Sequence, residues 1–200
     1  QPELHPITDN EKLRSLLQSV EDITHFERYI VRSGIVRGES GATGIALKGV
    51  GTEADLSLIA GRLESGTMPR MEEARRKEIL LSKSISSQIG ATTGSRIELL
   101  LLDDDTPRHE VFKVCGVYRS ALGETGAELA LTDIRNLQKL NGWEPSQITG
   151  YACRIENSEL SEECAYHINL QLLYGYESEE SVSAISAQEE YAHIFGWLAT

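Results

Sequence analysis

The apolar residues of this 200-residue chain occur in short runs, and the longest, not counting glycine, is the four-residue run from Leu99 to Leu102. A membrane-spanning helix needs about 20 mostly apolar residues, so these residues hold no such span. The runs alternate between helical and strand-like spacing and are separated by turn-forming segments. A chain of this length can bury roughly 70% of its unfolded surface, which is enough for a core without disulfides. The pattern predicts an α+β fold.

The charge balance excludes one large class of partners. Lysine and arginine together number 19 against 31 aspartates and glutamates, a formal net charge of -12. Binding to nucleic acid depends on neutralising phosphates with basic side chains, and anionic lipid head groups make the same demand. We therefore expect no nucleic-acid partner.

The two ends of the chain share one style of patterning. Residues 9–20 predict an amphipathic helix in which Thr8 and Glu11 form a capping box. Residues 25–36 predict a long strand with a bend or bulge at Gly34. Towards the other end, residues 148–155 predict a strand, residues 160–175 a helix and residues 181–186 a weak strand, and residues 188–198 have helical character. Residues 1–37 and 146–200 are thus expected to form a discontinuous α/β subdomain within a single domain spanning residues 1–200.

The middle of the chain predicts an inserted β-rich subdomain over residues 38–145. Strands are expected at residues 43–50, 78–81, 97–102, 111–118 and 128–131. The third and fourth of these are expected to form a hairpin, and residues 61–69 to be irregular. One short helix is expected to end at Gly90, and a second to be capped by Thr132 and to stop at Gly142.

No catalytic constellation emerges from the motifs. Gly49 and Gly51 do not form a phosphate-binding loop, because the spacing of its glycines and the lysine that follows them are missing. His109 and Glu110 have no second histidine at zinc-protease spacing, and Ser40 lies in an incomplete nucleophile elbow. Five histidines lie in separate elements: His5, His25, His109, His167 and His193. The chain is therefore expected to be no enzyme, with no catalytic, cofactor-binding or metal-binding residue and no cofactor; its binding residues stay unknown.

The remaining candidate groups have structural interpretations. Cys115, Cys153 and Cys164 are expected to pack in the core, with a bridge between Cys153 and Cys164 left open as an alternative. The acidic run of residues 103–105 is expected at a solvated hairpin tip, since it lacks a calcium-binding loop. A second acidic cluster is expected to be a charged loop and comprises Glu177, Glu179 and Glu180.

Several segments, taken in order, nevertheless resemble one known family. They are SGIV at residues 33–36, GIALKGV at 44–50, GRL at 61–63, EILLSK at 78–83, FKVCGVY at 112–118, DIRNLQKLNGW at 133–143 and HIFGWL at 193–198. In their order and spacing they are similar to the periplasmic core domain of lipoprotein-releasing (LolC/LolE-like) ABC transporter permeases, a branch of the MacB-type superfamily. The segment from Leu140 to Trp143 is similar to Bacteroidetes-type members.

The resemblance carries expectations about position and partners. It implies a periplasmic domain of an inner-membrane protein, inserted between the first and second transmembrane helices, so that the two termini lie close together. The implied partners are a cytoplasmic ABC ATPase, a second permease copy or paralogue, a lipoprotein cargo and a periplasmic carrier. The expected function is to couple ATP hydrolysis to lipoprotein release from the inner membrane.

Two alternatives stay open. The first is a MacB-like efflux or mechanotransmission permease domain, because the fold alone does not select a cargo. The second is a periplasmic module that binds a small ligand or a peptide, which predicts a deep pocket with convergent polar groups. A hydrolase built around Ser40 or His109 is disfavoured, since those side chains would need a base and an orienting acid.

Overall fold

The computed structural model describes residues 5–101, 107–120, 129–178 and 180–186. Ten strands and five α-helices follow one another along these residues, so the expected mixture of helix and strand is confirmed. The strands are β1 (Ile7–Thr8), β2 (Ile23–Arg37), β3 (Ala42–Val50), β4 (Leu63–Gly66), β5 (Glu78–Ser82), β6 (Arg96–Leu101), β7 (Arg108–Tyr118), β8 (Leu129–Asp133), β9 (Gln147–Ile148) and β10 (Gly150–Ile155). The helices are α1 (Glu11–Ser19), α2 (Ser57–Ala60), α3 (Lys83–Ile89), α4 (Ile134–Asn141) and α5 (Ser161–Gly175). None of the helices in these ranges is long and apolar enough to span a membrane.

The strand pairings close on themselves. β2 pairs antiparallel with β3, β3 parallel with β8, and β8 antiparallel with β5. β5 then pairs parallel with β7, β7 antiparallel with β6, and β6 antiparallel with the end of β2. Six strands therefore form a continuous circuit, which we call the strand ring. Closure leaves the six strands of the ring without a free edge of their own, and β4 and β10 extend the ring outwards.

β2 is long enough to pair with two strands along the same edge. Residues from Ile23 to Tyr29 pair with β10, and residues from Gly34 to Arg37 pair with β6. The expected bulge at Gly34 is wrong, because the register passes through this residue without a shift. A side chain there would come within 2.9 Å of the Leu100 carbonyl oxygen, so glycine lets β6 approach β2. The register shifts instead between Arg154 and Ile155 of β10, which face His25 and Ile23, so Thr24 of β2 is the extra residue.

The main core fills the strand ring and the space beneath two helices. Strand side chains such as Ile45, Leu47 and Phe112 meet Ile85 and Ile89 of α3 and Leu137 of α4 in one buried cluster. Gly90 and Gly142 end these helices in the left-handed conformation, at φ 66° and 67°, as the sequence predicts. The ring and its two helices therefore share one core.

A second core lies where the two described ends of the chain meet. Leu13 and Val20 from the segment around α1 pack against Cys164, Ile168 and Leu172, which step along the buried face of α5. Helical spacing in the sequence predicts the buried face of each helix. Leu160 is an exception, because it lies before α5 and is 46% exposed. This second core joins residues near both described ends, whereas the proposed division of the domain at residues 37 and 146 stays a prediction.

Several local expectations need correction. The caps of α1 and α4 are Asn10 and Asp133, whose side chains accept from the Leu13 and Arg135 N–H groups; Thr8 and Thr132 are not the caps. The segment expected to be irregular contains β4, because its backbone pairs with β7. The strand expected over residues 148–155 is divided into β9 and β10, and residues 181–186 form no strand. The expected helix at residues 188–198 and the acidic run at residues 103–105 lie outside the described residues.

Candidate functional site: the junction between the two ends of the chain

The two described ends of the chain are joined directly. The carboxylate of Glu180 accepts a hydrogen bond from the Thr8 backbone N–H at 2.8 Å and another from the Thr8 hydroxyl. Two residues further on, the Asn10 side-chain amide donates to the Tyr176 hydroxyl at 2.9 Å. These contacts link residues 166 to 172 positions apart. We call β1, Asn10 and the described residues between Tyr176 and Ser186 the end junction.

A buried carboxylate anchors the end junction to the sheet. The Asp9 side chain is only 4% exposed. It accepts hydrogen bonds from Arg14 of α1 and from the Tyr151 hydroxyl of β10, and Arg28 of β2 approaches it within 3.6 Å. One carboxylate therefore connects the first helix, the edge strand and the longest strand of the ring.

The electrostatics of this cluster favour the ionised carboxylate. Burial by itself would raise the pKa of Asp9, but hydrogen bonds from Arg14 and Tyr151, together with the charges of Arg14 and Arg28, outweigh it and lower the pKa. Burial, reinforced by Asp9, raises the pKa of the Tyr151 phenol, so this group stays protonated and donates. The cluster is thus held by charge-assisted hydrogen bonds at neutral pH.

The network continues to the loop that follows β3. Arg28 also forms a two-pronged contact with Glu53, in which Nε lies 2.7 Å from Oε1 and Nη2 lies 3.3 Å from Oε2. Next to it, Arg154 of β10 donates to Asp55 at 2.6 Å, and the Asp55 backbone N–H donates to Glu27 at 2.9 Å. The loop after β3 is in this way tied to β2 and β10.

The residues after α5 are held by the helix itself. The Asn169 side chain accepts from the Ala184 N–H at 2.7 Å and donates to the Ala184 carbonyl at 2.9 Å, as a neighbouring strand would. Val182 and Ala184 pack against the second core. This side-chain pairing replaces the predicted strand, because one amide satisfies both backbone groups of Ala184.

The predicted acidic loop is thereby corrected at one position. Glu177 is exposed, as expected, whereas Glu180 is half-buried and joins the two ends. Glu179 lies outside the described residues. Glutamate is common in loops, and nothing in the local sequence distinguishes Glu180 from its neighbours, so the sequence carries no signal for this contact.

The catalytic candidates from the sequence lie apart. The Ser40 backbone N–H donates to the Ile89 carbonyl at the end of α3, whereas His109 lies on β7 opposite Leu100. His25 lies 3.2 Å from Glu27, and the His167 ring contacts Tyr166. Histidine, cysteine and acidic side chains form no metal-binding cluster within the ranges that the structure describes.

Two shallow depressions lie on the described surface. One, of about 270 Å³, is lined in part by Glu64, Lys83 and Ser86, and the other, of about 250 Å³, by His25, Glu27 and Arg154. Both are smaller than the roughly 300–1,000 Å³ of typical small-molecule sites. Neither therefore supports the module that binds a small ligand.

All three cysteines carry free thiols, so the bridge between Cys153 and Cys164 is not formed. Cys115 and Cys164 are buried as expected. The expected burial of Cys153 is wrong, because it lies on the edge strand β10 and is exposed. Burial raises the pKa of the Cys115 thiol to about 12, and this thiol donates to the Ile79 carbonyl.

Comparison with known proteins identifies a shared fold. No family model and no curated protein matches the sequence. Among solved structures, the extracellular domain of the noncanonic ABC-type transporter YknZ from Gram-positive bacteria matches with a TM-score of 0.53 at 15% identity, covering 86% of each chain. A domain of a permease protein from Porphyromonas gingivalis matches with a TM-score of 0.44 at 14% identity, covering 88% of this chain and 73% of that one. The first match shows that this chain has the fold of the YknZ extracellular domain.

Proposed function

We propose that this chain is an extracytoplasmic domain of an ABC transporter permease, in which it transmits motion between the membrane and its partners and catalyses no reaction. The observation that carries the proposal is the end junction. A domain inserted between two membrane helices must bring its two ends together, and the contact between Thr8 and Glu180 joins the two described ends. The fold shared with the YknZ extracellular domain supports the same class.

The network behind the junction supports a mechanical role. A force applied at the two ends meets Asp9 and its partners, which connect α1, β10 and β2, and β2 belongs to the strand ring. Charge-assisted hydrogen bonds are the strongest of the polar contacts available to such a network. The domain would then move as one body when the membrane helices move.

The finer proposal is lipoprotein release, driven by a cytoplasmic ABC ATPase. It rests on the ordered segments that resemble lipoprotein-releasing permeases. A MacB-like efflux or mechanotransmission permease would use the same fold, so the cargo is decided by experiment. Deleting the gene that encodes the chain should leave triacylated lipoproteins in the inner membrane, whereas their correct sorting would reject lipoprotein release and leave efflux.

The coupling role is tested by weakening the junction in the full-length protein. Glu180→Ala removes the acceptor of both Thr8 hydrogen bonds, and Glu177→Ala removes an equal charge from an exposed neighbouring position. We expect E180A to lower transport per ATP hydrolysed and E177A to leave it unchanged. Equal transport by both variants would argue against force transmission through this junction.

The location is tested separately with Cys153, an exposed residue that carries a free thiol. A membrane-impermeant maleimide applied to whole cells with a permeabilised outer membrane should label Cys153 without lysis. Cys153→Ser provides the control, since Cys115 and Cys164 are buried. Labelling that requires disruption of the inner membrane would place the domain in the cytoplasm and reject the proposal.

A further inference from the structure

Helix α5 carries apolar side chains on two opposite faces. Its buried face consists of Cys164, Ile168 and Leu172, which pack in the second core. At 100° per residue, Tyr166 and Leu173 lie on the opposite side of the helix. Tyr166 is 61% exposed, Leu173 74% and the adjacent Tyr174 84%. We call Tyr166, Leu173 and Tyr174 the outer stripe.

The outer stripe is more than scattered surface hydrophobicity. The apolar face of a surface helix is normally packed against the core, whereas α5 has apolar side chains on a second face that stays exposed. Exposed apolar residues that form a contiguous patch with a polar rim mark interaction sites. Tyrosine is also enriched at protein interfaces, because its ring buries a large area while its hydroxyl tolerates water.

Negatively charged side chains around the outer stripe restrict which partners can bind to it. Glu162 and Glu163 precede Tyr166 by four and three residues, so they flank it on either side of the helix, and both are exposed. Beyond Arg154, the last 46 residues of the chain contain nine glutamates and no aspartate, lysine or arginine. The rim is therefore acidic, and this part of the sequence supplies no cation to neutralise it.

We propose that the outer stripe is a docking surface for a helical segment of another protein, one with an apolar stripe of its own flanked by lysine or arginine. Charge complementarity selects this occupant. An anionic lipid surface would be repelled by the glutamates, and a second copy of this chain would bring an equally acidic rim. Burial of the apolar side chains provides most of the affinity. The basic residues beside them orient the partner helix and increase its association rate.

The surface lies on the helix that also holds the end junction through Asn169 and the second core. An occupant bound there would contact the layer in which the two described ends meet. The proposal does not depend on transport, because it follows from the apolar face and its acidic rim alone.

The test uses two fluorescently labelled synthetic helical peptides with the same leucine stripe, one flanked by lysines and the other by glutamates. Fluorescence anisotropy with the 200-residue chain should show binding of the lysine peptide at least about tenfold tighter than that of the glutamate peptide, weakening as salt rises. Failure to bind the lysine peptide, or equal binding of both peptides, would overturn the proposal.

Two variants of equal exposure provide the matched control. Leu173→Asp places a charge in the outer stripe, and Leu58→Asp does so at a residue of α2 that is likewise 74% exposed. We expect L173D to weaken binding of the lysine peptide at least about tenfold and L58D to leave it unchanged. Glu162→Gln with Glu163→Gln should weaken binding and flatten its salt dependence. An equal loss in L58D would show that the peptide binds elsewhere.

The other occupants give distinct results. Sedimentation velocity that reveals a dimer of the wild-type chain, dissociated by L173D, would replace the proposed partner with a second copy. Co-sedimentation with phosphatidylglycerol vesicles that is lost in L173D would replace it with a lipid surface. Either result overturns the proposal without bearing on transport, which is measured with E180A.

Discussion

Glu180 accepts hydrogen bonds from both the backbone N–H and the hydroxyl of Thr8, a residue 172 positions earlier in the chain. This contact lies at the outer end of a series that continues through Asp9 and its partners to the strand ring. The two ends are held together by side chains and not by a shared strand pair, because β1 pairs with β9 instead. The junction can therefore be weakened by single substitutions without removing a strand.

Substitution of Glu180 should loosen the junction locally. Glu180→Ala removes two hydrogen bonds to Thr8, and we expect a cost of about 1–3 kcal/mol against local opening. Hydrogen exchange should then accelerate at Thr8 and Ala184 while the strand ring keeps its protection. In Glu177→Ala these rates should match those of the wild type, and faster exchange throughout the ring in E180A would contradict a local role.

The stability of the fold should fall in acid. The pKa values of Asp9, Glu53 and Glu78 are lowered in the folded state, since hydrogen bonds from Arg14, Arg28 and Arg70 outweigh the effect of burial. A carboxyl with a lowered pKa stabilises the fold above its unfolded pKa of about 4, and this contribution is lost as the pH falls through the folded value. We expect urea unfolding to show a decreasing free energy of unfolding from pH 5 downwards.

Asp9 provides the specific check on this pH dependence. Asp9→Asn should lower the free energy of unfolding at pH 7 by about 1–3 kcal/mol, because Arg14 and Arg28 lose a charged partner. The same variant should lose less stability than the wild type between pH 5 and pH 2. Parallel curves for wild type and D9N would show that the acid sensitivity arises elsewhere.

Gly34 should be required for closure of the strand ring. A methyl group there would lie 2.9 Å from the Leu100 carbonyl oxygen and 3.0 Å from the Leu101 side chain. Gly34→Ala should therefore cost about 1–3 kcal/mol through overpacking between β2 and β6. Gly175→Ala is the control, since nothing lies within 4 Å of the added atom, and it should stay within about 0.5 kcal/mol of the wild type by thermal unfolding.

The buried Arg32 should contribute strongly to the stability of the fold. Its side chain, 1% exposed, reaches from β2 to Asn141 at the last turn of α4, where Arg108 also donates to the Leu140 carbonyl. Cations are favoured at this end of a helix. Arg32→Ala should cost about 3 kcal/mol or more in chemical denaturation, because it leaves a cavity in place of a large buried side chain and removes the hydrogen bond to Asn141.

Arg37, at the exposed end of the same strand, is the matched control. It pairs with Glu98, and both side chains are largely open to solvent. Arg37→Ala should cost at most about 1 kcal/mol, since exposed ion pairs contribute little. Similar losses for R32A and R37A would show that burial of Arg32 adds nothing to the stability of the core.

At the starts of α1 and α4, contacts with distant residues decide which of two candidate side chains caps the helix. Two neighbouring side chains can cap α1, Thr8 and Asn10, and Thr132 and Asp133 compete in the same way before α4. In the structure the Thr8 hydroxyl bonds to Glu180, and the Thr132 hydroxyl donates to the Glu78 carbonyl at 2.7 Å. Each threonine thus serves a partner distant in sequence, which leaves Asn10 and Asp133 to cap the helices.

The sequence by itself determined the elements whose signals are local. Helical spacing placed α1, α4 and α5, glycine placed the ends of α3 and α4, and the run after Leu101 predicted the β6–β7 hairpin, because these depend on residues a few positions apart. Only the tertiary structure decided the closure of the strand ring, the buried place of Arg32 and the joining of Thr8 to Glu180. Those features depend on pairings between segments up to 172 positions apart, for which a single sequence carries no periodic signal.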